Sequence, residues 1–192
     1  MECTLLKAVG FKELPGLEAL ETCDVALFFT RRLRIDGPDL DRVKQYCESG
    51  KPIVAVRTAS HGFQNWLEFD KEILGGNYRG HFREGPVQKA VPTPDAEKHP
   101  VMNGIGTIES EYSLYRTAPV ASDVTVLMNA SIPNEASQPA VWVREYREAR
   151  VFYTSLGGPK DFENPQFRRL LTNALHWAAG KELQEWRPQG GK

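Results

Sequence analysis

Residues 53–66 read IVAVRTASHGFQNW: four apolar residues, then Arg57, Thr58, Ser60 and His61 in quick succession. An apolar run that breaks abruptly into polar residues predicts a buried strand, here followed by a helix. In open sheets with parallel strands, ligands bind outside the carboxyl ends of the strands. The side chains at this break are therefore the first candidates for a site.

Working outward, the preceding segments repeat the pattern. VALFFT, residues 25–30, reads as a strand covered on both faces. Asp36 and Pro38 then mark a helix start, with Leu40, Val43 and Cys47 on its buried side and Gly50 at its end. Two strand–helix units in tandem predict a parallel sheet with helices on its faces. Further upstream, Thr4 to Val9 reads as another strand, and Pro15–Gly16 opens a short helix carrying Leu17 and Leu20. Downstream, LGGNYRGHF (74–82) reads as a structured loop. Pro86, Pro92, Pro94 and Pro100 restrict residues 85–100 to an edge strand between turns. VTVLMN (124–129) is a strand. AVWVREY and ARVFYTS, joined through Arg147–Glu148–Ala149, form an antiparallel hairpin added to the sheet. The last helix runs from Pro165 to Ala179 with Phe167, Leu170, Leu171, Ala174, Leu175 and Ala178 as its apolar stripe. One domain, residues 1–180, and a C-terminal tail, residues 181–192, account for the chain.

The chain has 192 residues, enough for one well-filled core, with 24 basic and 25 acidic side chains and a net charge of -1. That balance gives no general attraction to nucleic acid or to an anionic membrane, and neither is expected as a partner. Cys3, Cys23 and Cys47 have no metal-ligand spacing and read as small buried hydrophobes in a reducing compartment. The N-terminal stretch is neither a signal peptide nor a membrane span, so cytoplasmic residence is expected.

GKPIVAVRTASHGFQNW (50–66), LGGNYRGHF (74–82) and ARVFYTSLGGPKDFENPQFRRLLTNALHWAAG (149–180) together resemble the ThuA-like, or trehalose-utilisation, family of the class I glutamine amidotransferase-like superfamily. The resemblance implies a flavodoxin-like three-layer α/β sandwich with a mostly parallel sheet and a C-terminal hairpin. It also implies that an N-terminal strand is missing. The sheet edge so exposed would be covered by a partner chain, which makes a homo-oligomer the expectation. In the amidotransferase relatives a nucleophilic cysteine stands at the elbow, and a histidine and a glutamate follow the last strand. Motif alignment puts Arg57 at the nucleophile position and Gly158–Pro159–Lys160 where the other two would stand. Arginine has no useful nucleophilicity, glycine is no base and lysine has the wrong charge, so glutamine hydrolysis is not expected.

What remains is a polar inventory suited to a small polar molecule such as a sugar, with no cofactor implied. Arg57, His61 and His81 are the candidate catalytic residues, for acid–base chemistry with a cation to stabilise developing charge on oxygen. Thr58, Ser60, Asn77, Tyr78, Ser155 and Gly157 are the candidate ligand contacts. In this reading the Ser155–Gly158 turn offers backbone N–H donors, while Trp66 and Tyr78 form aromatic walls. Trp66 and Phe69 also fall at helical spacing, which suits core packing instead. A metal held by His61 and His81 with Glu109 or Glu111 is a lesser alternative. The competing class of function is a non-catalytic metabolite-binding or assembly module on the same scaffold.

Overall fold

A computed structural model describes residues 2–183 of the chain. Its main elements are α1 (Ala19–Thr22), β1 (Ala26–Phe28), α2 (Gly37–Glu48), β2 (Ile53–Val56), β3 (Gln88–Pro92), β4 (Ile108–Ser110), β5 (Thr125–Ser131), β6 (Gln138–Tyr146), β7 (Ala149–Thr154) and α3 (Pro165–Ala178). Among the described residues the strands form one seven-stranded sheet in the order β1-β2-β7-β6-β5-β3-β4.

The fold is α/β, but the sheet is mixed rather than mostly parallel. Pairings β1–β2 and β2–β7 are parallel, whereas β7–β6, β6–β5, β5–β3 and β3–β4 are antiparallel. Only α2 makes a helical crossover long enough to return the chain in the same direction. The turn between β6 and β7 shows the opposite case. Arg147 and Glu148 both take positive φ (47° and 68°), the geometry that joins antiparallel strands by two residues. This hairpin occupies the middle of the sheet rather than its margin, because β7 also pairs with β2, Val56 opposite Thr154.

Three further expectations are corrected. Residues 85–100 do contain a strand, but β3 has neighbours on both sides, and β4 is the outer strand. Its Pro92 falls at the last position, where a missing donor costs least. VALFFT is not covered on both faces, since β1 ends the sheet and Leu27 and Phe29 are 44% and 49% exposed. Thr4–Val9 forms no strand. The Val9 N–H bonds the Glu13 carbonyl in a tight turn instead of meeting a sheet edge. Of the tail, residues 184–192 lie outside the described residues.

Both faces of the sheet's centre are covered, which is why β2 reads as continuously apolar. Ile53 and Ala55 join the cluster containing Leu40, Val43 and Cys47 of α2. Val54 and Val56 join the cluster containing Phe167, Leu170 and Ala174 of α3. The helix ends follow their sequence signals. Pro38 lies in the first turn of α2, and Gly50, at φ +78°, follows its last residues. The Asn164 side chain accepts the Gln166 N–H at 2.9 Å to cap α3. The helix expected after β2 is only a 3-10 turn, Arg57–His61, before a π-helical turn over Phe69–Leu74.

Candidate functional site

Arg57 is the first residue beyond β2 and takes φ +43°, a left-handed conformation uncommon for any residue but glycine. Such backbone strain costs on the order of 1–3 kcal/mol and needs surrounding bonds to hold it. They are present. The Arg57 carbonyl accepts the Tyr153 hydroxyl at 2.9 Å and the Ser60 hydroxyl at 3.2 Å. Its Nη1 donates to the Ser155 carbonyl at 2.7 Å, and Nη2 to the Ser113 carbonyl at 3.3 Å. The guanidinium lies 4.4 Å from the ring centre of Tyr115 and 5.6 Å from that of Tyr112. Arg57 is only 8% exposed and forms no ion pair with a described residue.

His61 ends the same turn. With the Ser60 hydroxyl proton given to the Arg57 carbonyl, the Ser60 oxygen is left to accept Nδ1–H of His61, 3.2 Å away, and Nε2 of His61 becomes an acceptor. Ser60 is thereby committed as a brace and does not form a nucleophile–base pair with its neighbour. The imidazole stacks on Tyr78 at 4.4 Å and 18°, with Tyr115 at 6.0 Å. Burial, then the charges of Arg32, Arg31 and Arg57, hold the His61 pKa down at about 4. The ring is neutral at pH 7. Burial also raises the Tyr78 and Tyr115 hydroxyls above their ordinary value, against the pull of the arginines.

The glycine loop delivers Tyr78 and His81. Asp70 is buried, and its Oδ2 accepts the Tyr78 N–H at 2.7 Å. A Cβ at Gly76 would stand 2.3 Å from Asp70 Oδ1, so glycine is required for the loop to close over that carboxyl. Downstream, Arg79, Phe82 and Arg116 exchange backbone hydrogen bonds with Arg116, Leu114 and Gly80, pairing His81 with Tyr115. His81 is exposed, and its Nδ1 faces the Phe82 carbonyl at 2.8 Å. A carbonyl only accepts, so Nδ1 carries the proton and Nε2 of the neutral ring is an acceptor.

The structure thus brings Arg57, Ser60, His61, Tyr78, His81 and Ser155 to one end of the sheet. Thr58 and Asn77 are half-buried nearby, without a side-chain hydrogen bond to another described residue. Gly157 also lies here, φ +119°, with its Cβ position 3.6 Å from Arg57 Cβ. The turn it belongs to does not offer free donors. Asp161 Oδ2 takes the N–H groups of Gly157 and Gly158, each at 2.8 Å, and Thr154 Oγ1 takes that of Leu156. The signal for this was in Pro159 and Asp161, a helix-start pattern whose acid caps the preceding amides. A Cβ at Gly158 would lie 1.9 Å from the Tyr112 ring. Tyr112 therefore fills the space that a side chain at this position would need.

Trp66 is no wall of the site; it packs in the core with Phe63 and Phe69. The second aromatic wall is Tyr115, from the loop ESEYSLYRT, where tyrosines recurring among polar residues were the available signal. Glu109 and Glu111 pair with Lys89 and Lys160. No group of three or more His, Cys, Asp or Glu among the described residues could hold a metal ion. Two buried hydroxyls at this end, Thr30 Oγ1 and Ser155 Oγ, lack a hydrogen-bond partner among the described residues. Cavities of about 470 and 250 Å³ lie around His99 and Thr93, at the opposite end of the sheet. The strained arginine, the stacked histidine and the orphaned hydroxyls are all at the other end.

Residues 7–178 match the family model ThuA, trehalose utilisation. A ThuA-like protein from Parabacteroides merdae has a similar structure, with 19% identity and a TM-score of 0.69 over 88% of this chain and 75% of that one. Another, from Bacteroides uniformis, gives 22% identity and a TM-score of 0.66 over 84% and 71%. A GMP synthase-like chain from Thermoplasma acidophilum gives 14% identity and 0.55 over 86% and 78%. At these identities the likeness shows the fold alone. No curated protein matches the chain.

Proposed function

The chain belongs to the ThuA (trehalose utilisation) family, and from that premise we propose that it binds a sugar or sugar derivative at the end of β2. The observation that carries this reading is the His61–Tyr78 stack beside the buried Arg57. Aromatic faces suit the C–H surface of a sugar ring, while Nε2 of His61 suits its O–H groups. If the ligand is transformed, His81 carries the proton and Arg57 holds developing negative charge. His61, neutral and with a depressed pKa, serves as an acceptor rather than an acid.

Glutamine amidotransferase activity is no part of the proposal, since Arg57 stands at the elbow and Tyr112 crowds Gly158. A flavodoxin-like three-layer plan, cytoplasmic residence and a homo-oligomer belong to the same reading. The described residues include no helix long and apolar enough to cross a membrane.

The second reading is metabolite binding without turnover. It is favoured by one observation, the occupation of the Gly157 and Gly158 N–H groups by Asp161, which removes them as oxyanion donors. One experiment addresses both. The purified chain and its Arg57→Ala, His61→Ala and His81→Ala variants are assayed for binding and turnover with disaccharides and keto-sugars. Binding that weakens in the first two variants supports the site, and turnover lost with His81→Ala supports acid–base chemistry. Binding and turnover identical in all four proteins would remove the site.

A further inference from the structure

Among the described residues, the arginines at this site form no ion pair. Arg42, Arg144, Arg147, Lys89, Lys98, Lys160 and Lys181 each stand within 4.0 Å of a carboxylate. Arg31, Arg32 and Arg57 form no such pair among the described residues. Yet the chain brings them together. The Arg32 N–H donates to the His61 carbonyl at 3.3 Å and the Leu33 N–H to that of Gly62 at 2.6 Å, so the Arg31–Arg32 segment runs beside the histidine turn. Arg32 takes φ +53°, a second left-handed residue at the same end of the sheet. Both its side chain and that of Arg31 are exposed. The carboxylate on the loop beneath, Asp70, is buried and given to the Tyr78 N–H.

We propose that the ligand of this site is an anionic sugar derivative, a sugar acid or sugar phosphate, whose oxyanion lies among Arg31, Arg32 and the Arg57 charge beneath them. Guanidinium groups match carboxylate and phosphate oxygens by paired, charge-assisted hydrogen bonds. Aromatic walls of low polarity beside them strengthen the field an anion meets. A neutral sugar would leave those cations uncompensated next to the His61–Tyr78 stack. Burial first, and then these three arginines, hold the His61 pKa down at about 4, so an anion seated among them raises it by offsetting the arginine share, and a neutral sugar does not.

This inference rests on the sugar-site reading above, and the test separates the two. Glucuronate, glucose 6-phosphate, inorganic phosphate, glucose and trehalose are titrated calorimetrically into the full chain, Arg31→Gln/Arg32→Gln and Tyr78→Ala. The His61 ring is followed by NMR across pH. The proposal expects the two anionic sugars to bind at least about tenfold tighter than glucose, with that preference lost in the double arginine variant. It also expects His61 to titrate higher in their presence. Glucose or trehalose binding as tightly as the anions, with no effect of the arginine changes, would overturn the anionic class and leave the sugar site standing. Inorganic phosphate matching glucose 6-phosphate, with Tyr78→Ala neutral for both, would reduce the arginines to an adventitious ion site and overturn the proposal. No binding by any of the five would sink both readings.

Discussion

Two titrating groups at the site, the buried Asp70 and the half-buried His61, push stability in opposite directions. The Asp70 carboxyl is raised to about 6 by burial, against the Tyr78 N–H and Lys71, which lower it. The folded chain then keeps a proton that the unfolded chain releases, so from about pH 4 to pH 6 stability falls as pH rises, by about 3 kcal/mol in total. His61 does the reverse. Its pKa is lowered from 6.5 to about 4, so the unfolded chain binds the proton more readily and stability is lost as pH falls through that window. Its half-exposed ring is screened by solvent, which makes this the weaker effect. Asp70→Asn should leave a stability that rises from pH 4 to pH 6.5, and His61→Gln one that falls. Urea midpoints across that range read both slopes, and equal slopes in the two variants would refute the assignment. Neither effect was legible in the sequence. Asp70 sits in a polar-looking segment, EFDKE, and only the fold of the glycine loop shows that its carboxyl is enclosed.

At the scale of elements, the turn after β7 is locked to the 111–118 loop by contact rather than by backbone need. Gly158 has an ordinary φ of -69°, so a side chain there is forbidden by the Tyr112 ring and not by conformation. Gly158→Ala should cost about 1–3 kcal/mol by displacing that ring. In a Tyr112→Ala background the same change should cost close to nothing. A double-mutant cycle by chemical denaturation gives the coupling, and an unchanged cost in the second background would refute the steric account. The loop itself hangs on two glutamines. Gln88 donates to the Tyr112 carbonyl at 2.7 Å, and Gln138 Oε1 accepts the Thr117 and Ala118 N–H groups. These glutamines begin β3 and β6, so the ends of two inner strands set where the tyrosines fall. The elbow strand was readable because it is local, an apolar run and a polar break. The loop that completes it was not, since Ser113 meets Arg57 across 56 positions of chain.

For the whole molecule, the sheet divides the interior in two. Val43 on α2 and Leu170 on α3 are each fully buried, in separate clusters on opposite faces. Val43→Ala should cost about 2 kcal/mol and Leu170→Ala about 3 kcal/mol, and the double variant their sum to within about 0.5 kcal/mol. A marked departure from additivity in equilibrium unfolding would argue that the two cores are coupled through the sheet. The sequence by itself determined the α/β class, the elbow at Arg57, the helices α2 and α3 and the family, because each rests on local spacing or a contiguous motif. Only the tertiary structure decided the mixed sheet, the inner position of β3, the second wall at Tyr115 and the occupation of the Gly157–Gly158 amides by Asp161. Those depend on which distant segments become neighbours, and strand order is set by the packing of the whole chain rather than by any one stretch.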